Sequence, residues 1–451
     1  MLMRSISGIR GLIGEDWTPD VLSHYTKVFL ELMGAKSILV GRDSRESGYA
    51  FEQIISSTCQ WLGVECQMLG IVTTPTLEYL TAISHADAGI MISASHNPLQ
   101  WNALKLVDQE GRFIGPELVA RYLELLDAED QKPWPPAPWN IKPSSDEGLT
   151  YQRHINGIFN QELINVSQLK AKKFRVAIDP VNGAGGESMR AMLEQLNCEV
   201  FSVHEEPTGN FGRAPEPTND ALQDLCELVI KEKCDLGFAL DPDGDRCSLV
   251  DENGQPMGEE QTLPLCADYV LAHEPGPVVC NLSTSAALSF IAAKYGQKCH
   301  YAAVGERNVS LVLTAINAPI GGEGNGGVML TSLQPCRDGM IAAALTLMWM
   351  TWQNKHISDF SLHHPLPTML KSKYQFPPEK LKVAFDAFKS KWLEAEWNEV
   401  DGLRGDFADK SWCHLRASNT EPIVRLTAES VDSQRAQILM NELKEILAEC
   451  I

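Results

Sequence analysis

Residues 89–106 read GIMISASHNPLQWNALKL, an apolar run that opens into Ser93-Ala94-Ser95-His96-Asn97-Pro98. A strand that exits into a polar loop presents its hydroxyls at the carboxyl end of a sheet, where α/β proteins place their sites. Apolar runs bounded by turn residues and followed by helical patterning recur at 37–40, 174–178, 236–240 and 278–281. That rhythm is α/β. An isolated Ser-His-Asn at such an exit is ordinarily an Asx turn or a helix N-cap. It becomes nucleophilic where a base or a metal-bound phosphate activates the hydroxyl.

The chain has 451 residues, more than one hydrophobic core accommodates, so two to four domains with separate cores are expected. Hydrophobic content of 44% and charged content of 22% fit a folded soluble protein, and no segment is long and apolar enough to span a bilayer. The first residues lack the apolar core and cleavage site of a secretory signal, so the expected location is the cytoplasm. A net charge of −21 argues against nucleic-acid binding, which needs a basic patch, and leaves any phosphate site to local Arg, Lys and backbone N–H groups. The twelve cysteines include no C-x-x-C pair and read as reduced, mostly buried thiols.

Residues 131–145 carry five prolines and two tryptophans and read as a linker. A polar turn at 253–258 closes a second unit, and residues 363–367 form a third break. Beyond it the pattern predicts a Lys-rich helix over 378–397 and a strand-turn-strand region over 411–428.

Three further motifs carry chemistry. Asp241-Pro242-Asp243-Gly244-Asp245-Arg246 follows an apolar strand directly. Alternating carboxylates bring oxygens to one point, which suits a hard divalent cation, and Gly244 lets the turn close. A solvated acidic turn is the plain alternative; a calcium loop would need a later bidentate Glu that is absent. Gly321-Gly322-Glu323-Gly324-Asn325-Gly326-Gly327 allows close backbone approach to a ligand, with Glu323 able to accept from two vicinal sugar hydroxyls, although alone it could be a flexible turn. Arg416-Ala417-Ser418-Asn419-Thr420-Glu421-Pro422-Ile423-Val424-Arg425 offers two guanidiniums and two hydroxyls around a turn, a phosphate cradle or an ordinary charged hairpin. Together the four motifs supply what is needed to hold a sugar phosphate at both ends and transfer phosphoryl.

With these motifs in order, preceded by Ser5-Ile6-Ser7-Gly8-Ile9-Arg10-Gly11 and Gly41-Arg42-Asp43-Ser44-Arg45, the sequence resembles the α-D-phosphohexomutase superfamily along nearly its whole length. That superfamily includes phosphoglucomutases, phosphomannomutases and phosphoglucosamine mutases. The resemblance implies three related α/β domains and a C-terminal α+β domain around a central cleft. Domain I, 1–145, would carry the phosphoserine loop. Domain II, 146–253, would carry the metal loop, domain III, 254–365, the sugar loop, and domain IV, 366–451, the phosphate loop. It implies a phosphorylated Ser95 and a single Mg2+ on Asp241, Asp243, Asp245 and a Ser95 phosphate oxygen. Arg10, His96, Lys105 and Arg246 match residues around the phosphoserine. Lys105, its pKa lowered by nearby cations, is the expected general acid or base, with His96 the alternative. Glu323 and Asn325 match the sugar readers; Arg416, Ser418, Asn419, Thr420 and Arg425 match the cradle for the non-reacting phosphate.

The implied reaction interconverts hexose 1-phosphate and 6-phosphate through a bisphosphorylated sugar that reorients in the cleft, with a hexose 1,6-bisphosphate as activator. The expected partners are small-molecule hexose phosphates, with no nucleic acid and no membrane, in a monomer or homodimer. Relative to the common pattern, Ser93 stands for Thr, Asn419 for Gly, Asn325 for Ser and Gly327 for His. The form GGEGNGGV resembles most a branch assigned to phosphoglucosamine mutase, with phosphomannomutase or phosphoglucomutase as the alternative. A metal-dependent phosphatase would leave the serine loop and cradle unexplained. A noncatalytic sugar-phosphate binding protein is expected to have lost Ser95 or a metal aspartate, and neither is lost.

Overall fold

The computed structural model describes residues 2–5, 8–129, 134, 150–417 and 423–450; the linker expected at 131–145 lies, but for Trp134, outside the described residues. Four sheets follow one another along the chain. In the second, Arg175–Asp179 is flanked by parallel neighbours Glu199–Ser202 and Leu236–Leu240, and Cys247–Val250 returns antiparallel to the latter. The third repeats this plan with Val278–Asn281 between Cys299–Ala302 and Ile320–Glu323, and Gly327–Leu330 returning antiparallel. The first has the same four-strand unit, with Ser37–Arg42 between Glu65–Ile71 and Ala88–Ile92 and with Trp101–Asp108 antiparallel. Gly8–Leu12 and Met3–Ser5 extend it.

The shared plan decides where chemistry falls. In each unit the third strand is buried and apolar, and the short loop joining it to its antiparallel partner carries the motif: Ser95 after Ala88–Ile92, Asp241 after Leu236–Leu240, and Glu323 at the end of Ile320–Glu323. A strand covered on both faces must be apolar throughout, so its polar residues collect at the carboxyl end.

The fourth sheet is wholly antiparallel, in the order Thr368–Gln375, Ile423–Ser430, Trp412–Ala417, Leu403–Asp406, Glu396–Asn398. Its core packs Leu415, Val424 and Leu426 against Leu439 and Leu443 of the helix Ser433–Glu449. The helix expected over 378–397 is shorter, spanning Leu381–Lys391. It stops where Trp392 stacks on Phe388 and Trp397, and Glu396–Asn398 pairs with Leu403–Asp406 instead, tertiary pairing overriding helical propensity.

Separate cores are found for the first and fourth sheets, but the second and third share one. Val176, Phe238, Val278 and Ile320 belong to a single cluster with the helix Gly339–Gln353, which is buried from Gly339 to Met350. The Asp338 carboxylate caps this helix by accepting from the N–H groups of Met340 and Ile341. The loops that carry Asp241 and Glu323 are therefore mounted on one shared core. No helix among the described residues is long and apolar enough to cross a membrane, and the cysteines are free thiols, most of them buried.

Candidate active site

The motif loops of the first three sheets and the cavity face of the fourth surround a cavity of about 540 Å3, lined among others by Arg10, Ser95, Lys105, Arg246, Asn325 and Arg416. Glu323, Arg425 and Arg337 also line it.

Ser95 is 2% exposed and has φ of 50°, a left-handed conformation uncommon for a residue with a Cβ. The surroundings impose it. Ser95 N–H donates to Ser93 Oγ at 2.9 Å, Ser93 Oγ–H donates to Asp43 Oδ2 at 2.7 Å, and Arg45 Nε pairs with that same oxygen at 3.0 Å. Arg45 also donates to the carbonyls of Ser95, Asn97 and Pro98 at 2.6, 2.7 and 2.9 Å. The Ser95 hydroxyl donates to Asp241 Oδ2 at 3.0 Å and lies 3.3 Å from His96 Nδ1.

Asp241, Asp243 and Asp245 are fully buried and place one oxygen each within 4.8 Å of one another. Gly244 turns with φ of 70°, and a Cβ there would meet Thr73 Cγ2 at 2.7 Å. Asp243 Oδ1 and Asp245 Oδ1 are buried without a hydrogen-bond partner, so the donor set fits a hard divalent cation. Burial, then Asp245 and Asp243, pushes Asp241 well above the ordinary carboxylate range. Asp243 is held well below it, because Lys105 outweighs the cost of burial.

Lys105 Nζ lies 2.5 Å from Asp243 Oδ2 and 3.6 Å from Asp245 Oδ2. The lowered pKa expected for Lys105 is not found: burial acts downward, but Asp243 and Asp245 offset it and hold the ammonium above the ordinary lysine value. His96 is pushed down to about 2 by burial, Arg246 and Arg10, so near neutral pH it is uncharged. Arg246 joins the loops, with Nη1 2.8 Å from Glu216 and Nη2 3.2 Å from His96 Nδ1. Arg10 Nη1 donates to Asn97 Oδ1 at 2.9 Å.

Glu323 accepts from Asn281 Nδ2 at 2.7 Å and Gly305 N–H at 3.0 Å. Asn325 Oδ1 is buried without a partner at the cavity wall. On the fourth sheet Arg416 and Arg425 stand directly opposite each other across adjacent strands. Ser418, Asn419 and Thr420 lie outside the described residues.

Two parts of the site escaped the sequence reading. Arg337 ties the Asp241–Arg246 and Gly321–Gly327 loops together through Asp245 at 2.5 Å and Glu323 at 2.9 Å, and also pairs with Glu306 at 3.0 Å. Its signal was Arg337-Asp338, a charged pair just before an apolar stretch. The other is the Asp43–Arg45 pair, which anchors the Ser95 loop from inside Gly41-Arg42-Asp43-Ser44-Arg45.

Models of the phosphoglucomutase/phosphomannomutase family match the chain in four consecutive pieces: alpha/beta/alpha domain I over residues 3–132, domain II over 151–254, domain III over 259–365, and the C-terminal domain over 371–446. A phosphoglucomutase/phosphomannomutase of Thermococcus kodakarensis is 31% identical over 439 residues, covering 95% of each chain. A phosphoglucosamine/phosphogalactosamine mutase of Sulfurisphaera tokodaii is 30% identical over 457 residues, covering 98% of each. The crystal structure of a phosphoglucomutase/phosphomannomutase family protein from Burkholderia thailandensis superposes with a TM-score of 0.85 at 23% identity, covering 99% of this chain and 97% of that one. The four matched pieces span most of the chain, and the chain belongs to the phosphoglucomutase/phosphomannomutase family.

Proposed function

We propose that the chain interconverts hexose 1-phosphate and hexose 6-phosphate, with Ser95 as the residue that carries the phosphoryl group between turnovers. The observation that carries this reading is the 3.0 Å hydrogen bond from the Ser95 hydroxyl to Asp241, which joins the cavity-lining serine to three buried carboxylates. Asp241, Asp243 and Asp245 would hold Mg2+, which when bound supplies positive charge to the transferring group.

The chain's own residues do the rest. Arg246 and Arg10 contribute charge beside Ser95, where phosphoryl-transfer catalysis mostly arises. Lys105 holds the proton exchanged with the attacking or leaving sugar hydroxyl; His96, uncharged, is an acceptor beside Ser95. Glu323 and Asn325 orient the ring through its hydroxyls, while Arg416 and Arg425, with Ser418, Asn419 and Thr420, take the phosphate that does not react. The same cradle serves both ends of the bisphosphorylated sugar after it reorients, and a hexose 1,6-bisphosphate restores the phosphoserine when the intermediate escapes. The setting proposed is cytoplasmic.

Glucosamine phosphate is the proposed substrate, supported by the GGEGNGGV sugar loop and by the name of the Sulfurisphaera relative. Mannose or glucose phosphate is the second reading, favoured by the name of the Thermococcus relative at 31% identity. Coupled assays with magnesium and a bisphosphate activator, comparing kcat/KM on glucosamine, mannose and glucose phosphates, separate these. If no sugar turns over in wild type, the mutase reading fails and a noncatalytic binding role takes its place.

A further inference from the structure

The structure assigns Lys373 to this site as a third cation for the phosphate that does not react, a binding residue beside Arg416 and Arg425. The assignment rests on the hexose phosphate reading above.

In the fourth sheet Lys373 lies directly opposite Arg425, and Arg425 lies directly opposite Arg416. Directly opposed residues share a face, so these three side chains form a row across three strands. The neighbouring positions Tyr374, Val424 and Leu415 face the other way, into the core under the helix Ser433–Glu449. All three cations line the cavity. Like charges directly opposite one another destabilise a sheet, so a row of three is maintained against its own repulsion. Among the described residues no carboxylate pairs with Lys373 or Arg425, whereas Arg416 has Asp401 at 3.5 Å.

Charge makes the third member matter. A phosphate monoester carries about 1.5 to 2 negative charges near neutral pH. Asp401 offsets one of the two guanidiniums, which leaves a single net positive charge for a near-dianion. Lys373 brings the row to two. Lys371, two positions along the strand, is engaged with Glu259 at 3.0 Å and Glu260 at 3.4 Å, so Lys373 is the lysine of this strand whose charge faces the cavity uncompensated.

The test is calorimetric titration of the full chain with glucose 1,6-bisphosphate and with glucosamine 6-phosphate, in magnesium, at two salt concentrations. Lys373→Ala and Lys373→Gln are expected to weaken both ligands by about 10- to 150-fold, the range for a hydrogen bond to a charged group, and to flatten the salt dependence. Lys373→Arg should stay within about threefold of wild type, a rescue that a merely structural lysine would not require. Lys382→Ala, an exposed lysine on the helix Leu381–Lys391, should change neither affinity nor salt dependence. If wild type binds both ligands and Lys373→Ala binds them within twofold, the assignment is overturned and the mutase reading stands. A wild type that binds no hexose phosphate overturns both.

Discussion

The Ser95 hydroxyl donates to Asp241 across 146 positions of sequence, 3.0 Å apart. The two residues sit on corresponding loops of corresponding sheets, each following the third strand of its unit. A hydroxyl on one unit thereby meets a carboxylate cluster on the next. Ser95→Ala should lower mutase activity by on the order of 10^4-fold or more, the usual cost of removing a nucleophile. It should also abolish transfer of labelled phosphate from a hexose bisphosphate to the protein. A variant that still takes up label would place the phosphorylated residue elsewhere.

Arg45 should matter for stability more than its distance from the cavity suggests. It is 1% exposed, compensates the buried Asp43, and ties down three carbonyls of the serine loop. Removing one partner of a buried pair leaves an uncompensated charge and typically costs about 3–5 kcal/mol. Arg45→Ala is therefore expected to shift the urea midpoint strongly, and Arg45→Lys to recover only part, since one ammonium cannot replace a forked donor. An unchanged midpoint would show that the loop is held by other contacts.

These two cases mark what the sequence could show. The strands at 88–92, 236–240 and 278–281 were legible because burial on both faces forces continuous apolar runs with polar ends. The motif residues were legible because serine, paired aspartates and clustered glycines stand out after such runs. Asp43, Arg45 and Arg337 were not, because an ion pair buried by tertiary packing has no local spacing that distinguishes it from surface charge. The direction of the Lys105 shift was equally hidden, since two carboxylates brought in from another sheet set it. The helix end at Lys391 depended on an edge strand pairing that propensity does not encode.

Gly324 tests the sugar loop. A Cβ at this position would run into the carboxylate of Glu260, which also accepts from Ser285 N–H at 3.0 Å. Gly324→Ala should displace the loop, weaken sugar phosphate binding by roughly tenfold and cost about 1–3 kcal/mol of stability, as overpacking does. Trimming the neighbour in Gly324→Ala/Glu260→Ala should recover part of the loss, giving a coupling of about 0.5–3 kcal/mol in a double-mutant cycle. Additive losses would mean that the two do not compete for space.

His414 ties the fourth sheet to the third through Ser283 Oγ at 3.0 Å and accordingly sets an acid limit on stability. Burial pushes its pKa down to about 4, with Arg404 and Arg416 adding to the effect while the Asp401 carbonyl and carboxylate oppose it. The unfolded chain, with a histidine near 6.5, binds the proton first. Stability contributed by neutral His414 is thus complete above about pH 6.5, is lost as pH falls towards 4, and levels off below that. Between pH 7 and pH 5 wild type should lose about 1–2 kcal/mol more than His414→Asn, read from urea midpoints at each pH. Equal losses would show that His414 does not titrate in this window.

The aspartates predict a metal effect that can be read without any turnover. Asp243 Oδ1 and Asp245 Oδ1 are buried acceptors without hydrogen-bond partners, and Asp241 is pushed up by burial and then by the neighbouring carboxylates of Asp245 and Asp243. A cation that binds there in the folded chain alone stabilises it by mass action, about 2.7 kcal/mol at a hundredfold excess over the dissociation constant. Magnesium should raise Tm by several degrees, chelator should reverse this, and Asp243→Asn should cut the increment by more than half. If the Asp243→Asn protein gains as much from magnesium as wild type, the ion that stabilises the fold binds elsewhere, and the loop after Leu236–Leu240 loses its claim to the metal.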